Sequence, residues 1–382
     1  MNKKTINVLQ INKGSQFDGV SSFLFNLYSK IDRDTIQFTF LSPNRTSYSM
    51  RREEIENMGG KIVELKANGN YIVRYCKLFI NLSNHLKNYQ YDFIHINSGG
   101  IFYNFFISVV SRNYSNAKII IHSHNGGDKH KSRILKKILK LLKPFIETNA
   151  DFLFSCSGKA SGHMFTEKAI KNGKVVLIHN GIDPARFQYN RERRERLRKE
   201  LGITDKFVLG NIGRFAEQKN QLFLIDIFSE IKKKYNNSIL IIYGEGELKE
   251  KIINKAKEKG VEIDVFIYAP IKKIEDAYNI MDVFLLPSLY EGLPITGIEA
   301  QAMSLPAIFS DNVPKEVDIS GICEFISMNE PIEVWCNAIV KYMNYDRKSN
   351  PLLLKEAGYD MNIIASNLAD FYINNSKDKK DA

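Results

Sequence analysis

The amino-acid sequence predicts an α/β protein made of two doubly wound domains, each a parallel sheet with helices on both faces. Three observations carry that prediction. Short runs rich in Val, Ile, Leu and Phe recur along the 382 residues, the composition of strands covered on both sides. Longer segments with helical spacing separate them; residues 220–235 place Leu222, Ile225, Phe228 and Ile231 on one face. The alternation occurs twice, which favours two open sheets with right-handed crossovers over one closed barrel, although strand count alone admits the barrel.

Strands are expected at 6–11, 37–41, 61–65, 92–96, 118–122, 152–155 and 175–178 in the first half. In the second half they are expected at 207–211, 239–243, 265–268, 283–286 and 307–309. The sequence Asn180-Gly181-Ile182-Asp183-Pro184 holds two turn-forming dipeptides and marks the boundary between a domain at 1–181 and a second at 182–358. The charged run 191–200 that follows has the composition of a solvated helix.

Composition narrows the function classes. At 44% hydrophobic and 25% charged, the chain has the balance of a folded globular protein. A formal net charge of +11 favours a polyanionic partner: nucleic acid, an anionic membrane or a phosphorylated ligand. Cys76, Cys156, Cys323 and Cys336 are scattered without C-x-x-C spacing, which suits a reducing compartment better than a disulfide or metal framework. No apolar leader follows Lys3 and Lys4, and no run approaches the roughly 18 apolar residues of a spanning helix, so a soluble chain is expected.

Ligands of open parallel sheets bind beyond the carboxyl ends of the strands, so the residues there are the candidates. After the first strand of the second half come Gly213, Arg214 and Lys219, on a loop that opens towards a helix. Arg can grip a phosphate in a fork and Lys adds a second cation; a glycine turn with two surface cations is the equal alternative. After 283–286 come Glu291, Gly292, Leu293, Pro294 and Glu299. Pro294 suits a helix's first turn, whose N–H groups can face an anion, and two carboxylates near one pocket suit sugar hydroxyls; the alternative is Glu291 as a charge at the helix N-terminus and Glu299 as an exposed helix residue. Gly244 and Gly246 stand at another strand end, where glycines would let a base or ribose come near the backbone; taken alone, an ordinary turn explains them better. Gly14, Asp18 and Gly19 link the first strand to a helix, without the third glycine of a dinucleotide fingerprint. His124 follows the strand 118–122 and, by alternation, points the same way as His122. A zinc site there is disfavoured, and Asp32-Arg33-Asp34, which imitates a metal-binding D-x-D, falls at the amino end of a strand as a surface loop. Residues 129–143 carry seven Lys or Arg and no acid, with Ile134, Leu135, Ile138, Leu141 and Leu142 at helical spacing. Such a helix lies on an anionic membrane surface, or packs on a core with a lysine-rich outer face.

Together these elements resemble the group 1 glycosyltransferases, a retaining family of capsule and exopolysaccharide type, most strongly over 210–316. The resemblance rests on Gly213-Arg214 with Lys219, on Glu291-Gly292-Leu293-Pro294, and on Glu291 and Glu299 with seven residues between them. It implies the GT-B fold, two Rossmann-like doubly wound domains facing across a cleft. It also implies a closing helix at 359–375 that packs back on the N-terminal, acceptor-side domain. Arg214 and Lys219 would then bind the donor diphosphate, Glu291 the transferred sugar, Glu299 the ribose, and His124 would lie near the sugar. Gly19 matches the family's N-terminal glycine loop. Asn220 and Ser304 stand where the family usually has glycine, and Asp18-Gly19 replaces Gly-Gly. The implied reaction moves a sugar from a nucleotide-sugar, by family habit a UDP-sugar, to a glycan acceptor that is lipid-linked, at the cytoplasmic membrane face. No metal or other cofactor is expected. Rival readings are a nucleotide-sugar epimerase of the same fold and a non-catalytic nucleotide-sugar-binding module. A nucleic-acid partner ranks last, because no nucleic-acid module is present.

Overall fold

The computed structural model describes residues 5–13, 19–43, 48, 51–124 and 133–376. The chain divides into two compact units, one made of residues through Asp183 and again from Gly358 onwards, the other of Pro184–Ala357.

The first unit holds β1 (Ile6–Asn12), β2 (Ile36–Ser42), β3 (Lys61–Glu64), β4 (Phe93–Asn97), β5 (Lys118–Ser123), β6 (Phe152–Ser155) and β7 (Val175–Leu177). They form one parallel sheet in the order β3-β2-β1-β4-β5-β6-β7. Alternation along each strand feeds two cores. Leu9, Ile94, Ile96, Ile119 and Ile121 pack with Leu82, Ile107, Leu139 and Ile146 on one side. Val8, Phe38, Phe93, Ile120 and Phe154 pack on the other with Leu24, Leu27, Leu368 and Tyr372. The last two of these belong to the helix Met361–Ser376, so the end of the chain completes the core that the beginning starts. Its entry is fixed by backbone bonds, Ile182 N to Tyr359 O at 2.9 Å and Met361 N to Ile182 O at 3.1 Å.

The second unit holds β8 (Phe207–Ile212), β9 (Ser238–Tyr243), β10 (Val265–Tyr268), β11 (Val283–Leu286), β12 (Ala307–Ser310) and β13 (Cys323–Ile326). This sheet is also parallel, in the order β10-β9-β8-β11-β12-β13. Twelve of the thirteen strands start and end within two residues of the expected ranges. β13 was not expected: Cys323-Glu324-Phe325-Ile326 is a short edge strand with one buried residue, too brief to show a period.

The charged helix Arg191–Glu200 departs from the solvated helix expected. Arg198 is buried, and its guanidinium donates to Asp282 Oδ2 (3.1 Å) and Ile280 O (2.9 Å). Arg194 donates to Asp282 Oδ1 (2.5 Å), Asn279 O and Met281 O. Asp282 in turn accepts from Val208 N at 2.7 Å, so one carboxylate ties this helix to the starts of β8 and β11. Asp282→Ala would strand two guanidinium groups that are largely out of water, and such losses cost about 3 kcal/mol. We expect its urea midpoint to fall accordingly, whereas Glu195→Ala, on the exposed side of the helix, should leave it unchanged.

Candidate active site

In a doubly wound sheet the crevice opens where the strand order reverses. In the second unit that point lies between β8 and β11. The segments leaving these two strands are stitched together. Leu289 N donates to Gln218 O (2.8 Å), Gln218 Nε2 to Tyr290 O (3.0 Å), and Asn220 Nδ2 to Pro287 O (3.2 Å). Asn220 sits at φ 54°, a left-handed conformation that asparagine tolerates better than most residues. Ser304 has φ 51°. Both positions where the sequence departs from the expected glycine therefore keep the glycine-like backbone, and Asn220 adds a bond.

Lys219 and Glu291 meet at the centre of this seam. Lys219 Nζ lies 2.6 Å from Glu291 Oε1, with only 6% of the Glu291 side chain exposed. The same carboxylate accepts from Ser288 Oγ (2.8 Å) and Gln218 Nε2 (3.2 Å). Glu291 thus fixes the lysine on the β11 side of the loop. Arg214 is exposed beside it, and its carbonyl is held by Gln221 Nε2 at 3.0 Å. Two cations are presented together, one anchored and one free to reach. Gly213 packs against the Lys219 stem, where an added Cβ would sit 3.4 Å from Cδ.

Gly244 and Gly246 pack closely against the loop that follows β8. A Cβ on Gly244 would lie 2.0 Å from Gly213 O, and one on Gly246 (φ +148°) 2.4 Å from Phe215 O. The space that a side chain would fill is taken by the Arg214-bearing loop itself.

Pro294 precedes rather than begins the helix Ile295–Ala302, one residue from its expected place; Gly292 and Leu293 are partly buried ahead of it. Glu299 is in that helix and accepts from the Tyr278 hydroxyl at 2.7 Å. Burial raises its pKa to about 7, against the opposing pull of Tyr278 and Arg186.

In the first unit the order reverses between β1 and β4. Gly19 opens the helix Gly19–Lys30, with open space where a Cβ would stand; Gly14 and Asp18 lie outside the described residues. His124 follows β5 directly and is partly exposed; its ring centroid is 3.9 Å from that of His122. Asp32 and Arg33 lie at the amino end of β2, with Arg33 donating to the last carbonyls of the Gly19–Lys30 helix, a capping role. Among the described residues no three His, Cys, Asp or Glu side chains converge as metal ligands would.

A buried polar chain runs from the last helix to His124. Tyr372 Oη contacts His95 Nδ1 (2.7 Å) and accepts from Gln10 Nε2 (3.2 Å). Asn97 Nδ2 donates to Gln10 Oε1 (2.8 Å) and to His95 O (3.0 Å). That carbonyl can only accept, so it fixes which way the Asn97 amide points. Asn97 Oδ1 then faces His124 Nε2 at 3.1 Å, and Nε2 must carry the hydrogen. His124 Nδ1 lies 2.8 Å from Asn180 Oδ1; with the hydrogen on Nε2 it can only accept, which requires the Asn180 amide turned end for end to present its nitrogen. The sequence singled out none of Gln10, Asn97 and Tyr372. The signal was present: Gln10 interrupts an apolar run and Asn97 ends one, in strands covered on both faces.

Burial lowers the pKa of His124 to about 4 and of His95 to about 3, and holds His122 well below its usual value. All three imidazoles are neutral at pH 7. The unfolded chain takes up protons near pH 6.5 that the folded unit refuses until about pH 4, so stability must fall as pH drops through that window. We expect His122→Phe, which removes two ring nitrogens without side-chain partners, to raise the melting temperature at pH 5.5 more than at pH 8. Asn97→Asp would place a carboxylate against Nε2 and should raise the His124 pKa by roughly 1–3 units, read from its ring resonances by NMR.

Comparison with known proteins adds relatives to this geometry. Residues 193–344 match the family model described as glycosyl transferases group 1, and residues 17–186 match that of glycosyltransferase family 4. EpsF of Bacillus subtilis (strain 168), described as a glycosyltransferase, is 30% identical over 374 residues, covering 94% of each chain. The UDP-Gal:alpha-D-GlcNAc-diphosphoundecaprenol alpha-1,3-galactosyltransferase of Escherichia coli is 25% identical over 282 residues, 71% of each chain. Among solved structures, Anabaena HepE in complex with UDP and glucose superimposes with a TM-score of 0.76 over 97% of this chain and 100% of that one, at 15% identity, a likeness of the GT-B fold.

Proposed function

We infer that this chain, which belongs to the group 1 glycosyltransferases, moves a sugar from a UDP-sugar to a lipid-linked glycan in polysaccharide synthesis, with retention at the anomeric carbon. The observation that carries the reading is the Lys219–Glu291 pair beside Arg214 at the β8/β11 reversal. The relative that acts on a diphosphoundecaprenol acceptor supports the acceptor class, and the UDP-bound structure of the same fold supports the nucleotide.

Breaking the bond from sugar to diphosphate adds one negative charge to the departing phosphate while the anomeric carbon becomes cationic. Arg214 and Lys219 meet that charge, and the first N–H groups of the Ile295–Ala302 helix add to them. Preorganised donors of this kind contribute about 2.7–4 kcal/mol each. Glu291 keeps Lys219 from swinging into water, so little reorganisation is left for the reaction itself. The acceptor hydroxyl attacks from the face the diphosphate is leaving and gives its proton to a phosphate oxygen, which accounts for retention without a protein nucleophile. No metal takes part in this scheme, because side-chain cations neutralise the leaving group. His124, neutral and with a lone pair on Nδ1, accepts from a sugar hydroxyl when Asn180 yields its place. Glu299 accepts the ribose hydroxyls in its ionised form. A lipid-linked acceptor places the work at the cytoplasmic face of a membrane.

UDP at about 100 times its dissociation constant should stabilise the protein by roughly 2.7 kcal/mol, seen as a thermal shift. Arg214→Ala/Lys219→Ala should abolish that shift; no shift with any nucleoside diphosphate in the unmutated chain would defeat the reading. Since Glu299 is protonated below about pH 7, UDP affinity should rise between pH 6 and 8. Tyr278→Phe, which removes the bond favouring the carboxylate, should move that rise to higher pH. Proton NMR of the first product formed should show the anomeric configuration of the donor preserved.

A further inference from the structure

The basic segment that follows β5 continues as the helix Arg133–Asn149, whose exposed side carries large apolar residues as well as lysines. Leu139 and Ile146 face the core. Ile134, Ile138, Leu141 and Phe145 are 73%, 52%, 70% and 58% exposed. Spaced by four, three and four residues, they form one ridge, about 17 Å long at 1.5 Å per residue. Lys137 and Lys140 are exposed beside it, while Lys143 turns inward to Gly162 O and Phe165 O and fastens the helix to its unit.

The ridge continues onto neighbouring helices. Phe145 packs on Phe105 of the helix Ile101–Tyr114 (centroids 6.3 Å), and Arg112 near the end of that helix reaches Asn149 O at 2.8 Å. The two helices run side by side, and the ridge helix starts about 10 Å beyond its neighbour. That overhang lies at the carboxyl edge of the sheet, the edge of Gly19 and His124. At the same edge the helix Tyr71–Asn88 begins with Tyr71 and Ile72, 65% and 73% exposed, and Phe102 lies 5.3 Å from Tyr75 and 6.5 Å from Tyr71 by ring centroids. Charge follows the same division. The first unit, residues 1–183 with 358–382, carries 29 Lys and Arg against 17 Asp and Glu, whereas residues 184–357 carry 25 against 26. The basic surplus therefore belongs to the unit with the ridge and not to the unit with Arg214 and Lys219.

We propose that this face of the first unit seats in an anionic lipid surface, with Ile134, Ile138, Leu141 and Phe145 entering the headgroup boundary and Lys137 and Lys140 meeting lipid phosphates. An apolar ridge selects a bilayer over nucleic acid, and the flanking cations select anionic over neutral lipid. Among the described residues no helix is long and apolar enough to cross a membrane, so the contact is with one leaflet. The assignment gives the proposed lipid-linked acceptor its route: it would deliver that acceptor to the edge that carries His124, and in this it rests on the function inferred above.

Flotation of the full chain with vesicles tests it, using phosphatidylcholine alone or mixed with about one third phosphatidylglycerol. The unmutated chain should float with the anionic vesicles and at most weakly with the neutral ones. Ile138→Ser/Leu141→Ser should lose at least tenfold in binding, and Lys137→Ala/Lys140→Ala about fivefold per lysine. Both variants should keep the melting temperature and the rate on a water-soluble acceptor. Equal flotation of the ridge variant and the unmutated chain overturns the proposal, as does failure of the unmutated chain to float with any vesicle. A dimer in light scattering that becomes monomeric on Ile138→Ser/Leu141→Ser, without vesicle binding, would also overturn it, in favour of a second copy. If the chain floats as expected yet glycosylates only soluble acceptors, the acceptor inference fails and the lipid surface stands.

Discussion

A wholly parallel sheet has no face it can leave to water, because both sides of every central strand carry apolar residues. In the first unit, the helices that connect successive strands cover one side and part of the other. The remainder is closed by the helix Met361–Ser376, whose Met361, Ile364, Ala365, Leu368 and Tyr372 lie against Phe38, Phe93 and Phe154. The bonds between Ile182 and the 359–361 segment, the close fit of Gly181 under Ile364 and the grip of Tyr372 on Gln10 and His95 all follow from that need.

The same helix also orders the polar side of the unit. Amides and imidazoles buried between apolar layers are costly without partners, and along the chain from Tyr372 to His124 one partner restricts the next. A single backbone carbonyl, that of His95, sets the direction of the Asn97 amide and so the hydrogen on His124. In the second unit the ordering agent is a carboxylate: Glu291 gathers Lys219, Ser288 and Gln218, and Asp282 gathers Arg194, Arg198 and the start of β8. Each unit thus fixes its polar edge from inside, while Arg214 stays exposed at the edge of the second sheet.

The sequence showed what depends on period and on local spacing. Strand runs such as Val283–Leu286 and the Glu291–Pro294 segment were legible because burial on both faces and a proline ahead of a helix leave marks within a few residues. Partnerships across the chain were not legible. Arg198 sits in a run of charges, and only its approach to Asp282, 84 residues away, takes it out of water. Glu299 stands among Ile295, Ile298 and Ala300, and burial raises its pKa to about 7, but Tyr278 as its partner could not be foreseen. Gly244 and Gly246 were noticed by residue type, but a glycine shows that something comes close without showing what, and the Arg214-bearing loop packed on them was not legible.

The return of the chain to its first unit sets an order on synthesis. At roughly 5–20 residues per second, a ribosome needs about 10–40 s to pass from Asp183 to Ser376. Throughout that interval the aromatic side of the first sheet, with Phe38, Phe93 and Phe154, lacks its cover, while the second unit is contiguous and can close as soon as it emerges. The later-made half is therefore the first that can be finished. A nascent chain halted before residue 361 would display an open apolar sheet face, the kind of surface that chaperones hold, and trimming the last helix would leave the protein in that state permanently.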